Sequence, residues 1–195
     1  MFAASIMIVA FLGAGFDTAS AAPSARQDAS PPATLSREEV RSQVQAYVSA
    51  IDTPIPPAAW QALGPRAGPV LRQLISDPES FPTRRAKAIN GLAAVDGRAA
   101  ESLFRQLAGA ESEPLVVRLA ALRGMGQVTE AQALTTELGP FLSGANDSRV
   151  RAYAGEVLIR KSGRSACASV RAQAGRELPE RQGHFERALA LCADK

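Results

Sequence analysis

Three short segments set 33 residues apart constrain this chain more than any other feature. They begin at Arg85, Arg118 and Arg151 and align without gaps over eight residues each. Ala88, Ala121 and Ala154 share one register, and Leu92, Met125 and Leu158 share another. A pattern that returns at one fixed period marks a repeated supersecondary unit rather than a single irregular core. Each segment has helical spacing: Ala86, Ile89 and Ala93 fall on one stripe, and Val150, Ala154, Val157 and Leu158 run at i, i+4, i+7, i+8. A second amphipathic stretch follows each one. Val70, Leu71 and Leu74 match Leu103, Phe104 and Leu107, again at 33 residues, and looser versions occur at Leu134–Leu142 and Cys167–Ala174. No segment alternates at period two with Val, Ile and Thr, so the expectation is an all-α chain without sheet. A small residue at the centre of each stripe lets helix axes approach closely.

Helix boundaries fit the same frame. Ser36 with Glu39 predicts a capping box ahead of Val40, Val44, Val48 and Ile51. Pro114 suits a helix start, Asp147 or Ser148 can cap the third repeat, and Thr129 can cap the helix after Met125. Gly109, Gly144 and Gly163 fall at breaks between helices.

A paired-helix unit of this length suits tetratricopeptide, ankyrin or HEAT architecture. One Trp and two Tyr are too few for the first, and the T-P-L-H turn of the second is absent. The run Val117-Arg118-Leu119-Ala120-Ala121-Leu122-Arg123-Gly124-Met125-Gly126 resembles the V-R-x-x-A-x-x-A-L-G core of short HEAT repeats, the type also found in phycobilisome lyases. Val150-Arg151-Ala152-Tyr153-Ala154 resembles the start of that core, and Arg85–Leu92 fits more loosely because Arg84 replaces the Val. The resemblance implies an α-solenoid of about four to five helix pairs over residues 35–195, clearest over 77–175. It also implies a polar ladder in which each Arg meets an acidic or amide residue five positions upstream: Ser80, Glu113 and Asn146 here.

The N-terminal segment differs in composition. Met1 to Phe16 carries no charged side chain, and small residues follow Asp17. That reads as a secretory signal over 1–21, cut after Ala21. The apolar run is shorter than the ~20 residues of a membrane span. Residues 22–34 are rich in Pro, Ser and Ala and read as a disordered linker. The localisation expected is secreted or periplasmic.

Little in the remainder suits chemistry. Cys167 and Cys192 both fall on inward stripes of the last helices, and in an exported chain they are expected to pair. The bridge would close a loop of about 26 residues and stabilise by roughly 3 kcal/mol on the chain-entropy model. His184 is the only histidine and reads as a surface residue at a helix start. Ser165 and Ser169 precede it without a G-x-S-x-G elbow. One His and two bridged cysteines do not make a metal site, so no metal and no cofactor are expected. Trp60 reads as a plug on the N-terminal end of the helix stack. The formal charge is +3, far below that of a dedicated nucleic-acid binder. Nine basic and four acidic side chains lie between Arg149 and Arg187, so the positive charge gathers in the C-terminal third.

The function expected is therefore a non-catalytic interaction module for a protein partner, an acidic one fitting that charge. In the resembling family the second helix of each pair lines the concave side. That implies Arg72, Arg105, Gln106, Thr136 and Arg171 as binding residues. The alternative is an enzyme or nucleic-acid-acting protein on a HEAT-like scaffold, of the lyase or glycosylase type.

Overall fold

A computed structural model describes residues 35–145 and 147–193. The expected signal segment, the linker and Asn146 lie outside the described residues. Those described contain no strand. The α-helices are α1 (Arg37–Ser49), α2 (Pro57–Gln61), α3 (Ala67–Ser76), α4 (Pro82–Asp96), α5 (Glu101–Gly109), α6 (Leu115–Val128), α7 (Ala131–Gly144), α8 (Ser148–Ser162), α9 (Cys167–Ala174), α10 (Pro179–Gln182) and α11 (Glu186–Ala190). Short 3-10 turns at Gly97–Ala100, Gly163–Ala166 and Gly183–Phe185 join α4 to α5, α8 to α9 and α10 to α11.

Local signals account for several helix ends. Ser36 and Glu39 form the reciprocal capping box: each backbone N–H donates to the other's side chain, at 2.7 and 3.2 Å. Pro114 takes the N-cap position of α6, where a missing N–H costs nothing. Asp147 caps α8 by accepting from the Arg149 N–H at 2.8 Å. Gly97 and Gly163 stop α4 and α8 with φ of 51° and 67°, values that most side chains resist. Two expectations need correction. Glu130, not Thr129, is the N-cap of α7, and the Thr129 hydroxyl instead donates to Glu101 at 3.0 Å. The first helix ends at Ser49, so Ile51 lies beyond the buried stripe and is 83% exposed.

The 33-residue register reappears as packing. Ala88, Ala121 and Ala154 are fully buried, and α6 lies against both α4 and α8. The arginine-bearing helices therefore sit side by side on their alanine stripes. Glycine adds closer approaches at one repeat position. An added Cβ at Gly91 would come within 2.8 Å of the Trp60 ring, and one at Gly124 within 2.9 Å of the Phe104 ring. Trp60 is buried, with an edge-on contact to Tyr47 of α1. It sits beneath α1 as a core residue.

The sequence pairs each arginine-bearing helix with the helix after it. Between helices adjacent in sequence, the more extensive packing runs the other way: α3 on α4, α5 on α6, and α7 on α8. The repeated arginine explains why. Arg85 donates through Nε to the Ile75 carbonyl at 2.7 Å, and Arg118 does the same to Ala108 at 3.0 Å. Arg151 donates to the Ala145 carbonyl. Each thus caps the C-terminal end of the preceding helix, where carbonyls lack intrahelical partners and the dipole favours a cation. Helices α9 to α11 close the C-terminal end. Phe185 is fully buried there, and a disulfide joins Cys167 to Cys192 with their Cα atoms 6.0 Å apart.

Candidate functional site

The five side chains expected to bind a partner have different surroundings. Arg72 is half-buried: its guanidinium donates to Asp96 at 2.9 and 3.1 Å and to the Ala99 carbonyl at 3.1 Å. Arg105 lies between Glu101, at 3.7 Å, and Glu137. Both arginines therefore tie neighbouring elements together. Gln106, Thr136 and Arg171 are exposed. None of these five residues lines either of the two clefts along α8.

The ladder around the repeated arginines also differs from the expectation. Glu113 does not serve Arg118, five residues downstream; its carboxylate pairs at 2.7 Å with Arg85 of the preceding repeat. Glu177 binds Arg151 through both oxygens, Oε1 to Nε at 2.6 Å and Oε2 to Nη2 at 2.5 Å. Gln173 adds a 3.0 Å bond to Glu177 Oε1. These hydrogen bonds, the Arg151 bonds first, hold the Glu177 carboxyl below its ordinary range. Arg118 has no such pair among the described residues. Thirty-three residues after Glu113, the sequence carries an uncharged amide, Asn146.

Two clefts open along α8. The larger, about 560 Å³, lies at its N-terminal end. Ser148, the first residue of the helix, shares a 2.7 Å hydrogen bond with His184 Nδ1. The pairing spans 36 residues, and neither residue stands in a motif that announces it. No carboxylate bonds the imidazole among the described residues, so the base-orienting member of a serine-type constellation is missing. Asp147 holds Arg149 through two bonds of 2.7 and 3.0 Å. Those bonds are the main reason its carboxyl falls to about 2, with the more distant Arg118 adding to the effect. Arg118 and Arg181 complete the basic wall, and Glu111 also lines it.

The second cleft, about 400 Å³, runs between the far halves of α6 and α8. Arg123, Arg160, Lys161 and Arg187 line it with one carboxylate, Glu156. Glu156 is buried and accepts from Arg160 at 2.8 and 3.0 Å, with Arg187 3.9 Å away. Tyr153 accepts from Arg123 Nε at 2.9 Å. Val157 fills the space that a side chain at Gly126 would take, which keeps α6 and α8 close beneath the charges. The charge clustering was legible in the sequence; the meeting of Arg123 with Arg160 and Arg187 was not. No group of three or more potential ligand side chains suits a metal ion among the described residues, and no described helix is long and apolar enough to cross a membrane.

No family model matches this chain, and no curated protein or solved structure shows significant similarity to it.

Proposed function

We propose that this chain is an exported, non-catalytic binding module, a solenoid of HEAT-type helix pairs that takes an acidic protein segment. One observation carries the binding reading: four cationic side chains converge with one carboxylate in the groove between α6 and α8. A groove with excess positive charge attracts an oppositely charged partner and raises its encounter rate. The reading places binding on the arginine-bearing helices, since Arg72 and Arg105 of the second helices are already engaged. The 33-residue period and the helix-on-helix packing support the solenoid. The Cys167–Cys192 bridge supports export, because disulfides persist in oxidising compartments.

The test is fluorescence anisotropy with a labelled poly-glutamate peptide. Binding should weaken steeply with added salt and be lost when Lys161→Glu and Arg187→Glu are combined. Equal binding by that double variant and the native chain would reject the groove. Intact mass of the protein from its native host tests export separately: a species retaining Met1 would reject cleavage after Ala21.

A further inference from the structure

Arg118 is the exception among the three repeated arginines. It is only 6% exposed, yet it forms no ion pair among the described residues. Its Nε is spent on the Ala108 carbonyl, and no hydrogen bond holds its two terminal nitrogens among the described residues. Its terminal nitrogens keep a solvent-facing edge on the adjoining cleft, and no carboxylate lies within ion-pair distance of them among the described residues. Arg85 and Arg151, in the same register, each have a carboxylate.

The cleft beside Arg118 has the features that would hold such a partner for it. Arg181 lies on its wall with no ion pair of its own among the described residues, feeling only the more distant Glu177 carboxylate, and His184 and Ser148 add a polar edge. The start of α8, a helix of 15 residues, contributes the positive end of its dipole. Two carboxylates share the wall. Arg149 engages Asp147 through both oxygens, and Glu111 has an interaction of its own. We propose that this cleft binds a small oxyanion of the phosphate or carboxylate class, held by the unpaired edge of Arg118 and by Arg181 beside His184. The bound anion takes the place that Glu113 occupies on Arg85 and Glu177 on Arg151. This site is separate from the groove between α6 and α8.

Isothermal titration with sodium phosphate and, in a second arm, sodium acetate tests the assignment, with ionic strength held constant by sodium chloride. The native chain should bind one anion per molecule, and the arm with the higher affinity names the group. Arg118→Gln and the exposed Arg181→Ala should each weaken binding at least about tenfold, the loss of one charge-assisted contact. Arg41→Ala on α1 removes a cation far along the chain and should leave the affinity unchanged. Absence of saturable binding in both arms overturns the proposal, as does native affinity in Arg181→Ala. A loss in Arg41→Ala as large as that in Arg181→Ala also overturns it, because the effect would then be general charge. Should Arg118→Gln fail to fold, Arg181→Ala against Arg41→Ala decides the matter.

Discussion

The middle repeat and its two flanking repeats use the same arginine differently. Arg85 and Arg151 cap the preceding helix and also bind a carboxylate, Glu113 or Glu177. Arg118 makes only the cap. The shared bond serves the backbone, because it supplies a donor to a helix end that would otherwise leave a carbonyl unpaired. The second bond differs because it depends on the connecting segment of the next repeat, which lies outside the helical pattern. A repeat can therefore conserve its packing unit while its polar partners change.

The largest expected effect tests that contrast directly. Arg151→Leu leaves the Glu177 carboxylate, 4% exposed, without its cation, and should cost about 3 kcal/mol in urea denaturation. Arg118→Leu strands no carboxylate and should cost about 1 kcal/mol, one hydrogen bond to a carbonyl. Equal losses would remove the distinction between the middle repeat and its neighbours.

Next in size is the alanine stripe, which all three repeats share. Ala121→Leu adds a branched side chain where α6 is fully buried between α4 and α8, and should cost about 2 kcal/mol. A variant as stable as the native chain would mean that the repeat register is wrong.

The glycines sharpen the comparison further. Gly124→Ala drives a Cβ to 2.9 Å from the buried Phe104 ring. Overpacking should outweigh the gain in helix propensity, for a net loss of about 1 kcal/mol. Gly144→Ala, at the last residue of α7 with nothing within 4 Å of its Cβ, should stabilise by about 0.5 kcal/mol. Differential scanning calorimetry on the two variants should give melting shifts of opposite sign.

Acid should act on the carboxylates held by arginine. Asp147 and Glu177 have lowered pKa values, so their contribution is complete above the unfolded values and is lost as pH falls through the folded ones. For Asp147 the window runs from 3.8 down to about 2. Its pair with the mostly exposed Arg149 is screened by solvent, and the loss should be on the order of 1 kcal/mol. Asp147→Asn should flatten the pH dependence of the melting temperature within that window. An unchanged slope would assign the acid sensitivity elsewhere.

Smallest are changes at Arg105, Gln106 and Arg171. Alanine at each should move stability by less than about 0.5 kcal/mol, since all three are exposed. A larger loss at Arg105 would show that its pairs with Glu101 and Glu137 hold α5 and α7 together.

Periodicity made the helices, their buried alanine stripes and the capping box readable, because each depends on residues within a turn or two of one another. The disulfide was readable because two cysteines on inward stripes leave one pairing. Which helix each arginine serves was not readable: a side chain that long can reach the helix before or after it, and only packing selects the carbonyl. The same holds for the candidate sites. Ser148 meets His184, and Arg123 approaches Arg160 and Arg187, across 36 to 64 residues of chain. The sequence by itself determined the helical class, the 33-residue recurrence of its arginines and alanines, and the gathering of positive charge toward the C-terminal third. The tertiary structure decided which charges neutralise one another and which, like Arg118, have no ion pair among the described residues. Helix periodicity is a local property of the backbone, whereas ion pairing depends on distances that exist only after the helices have packed.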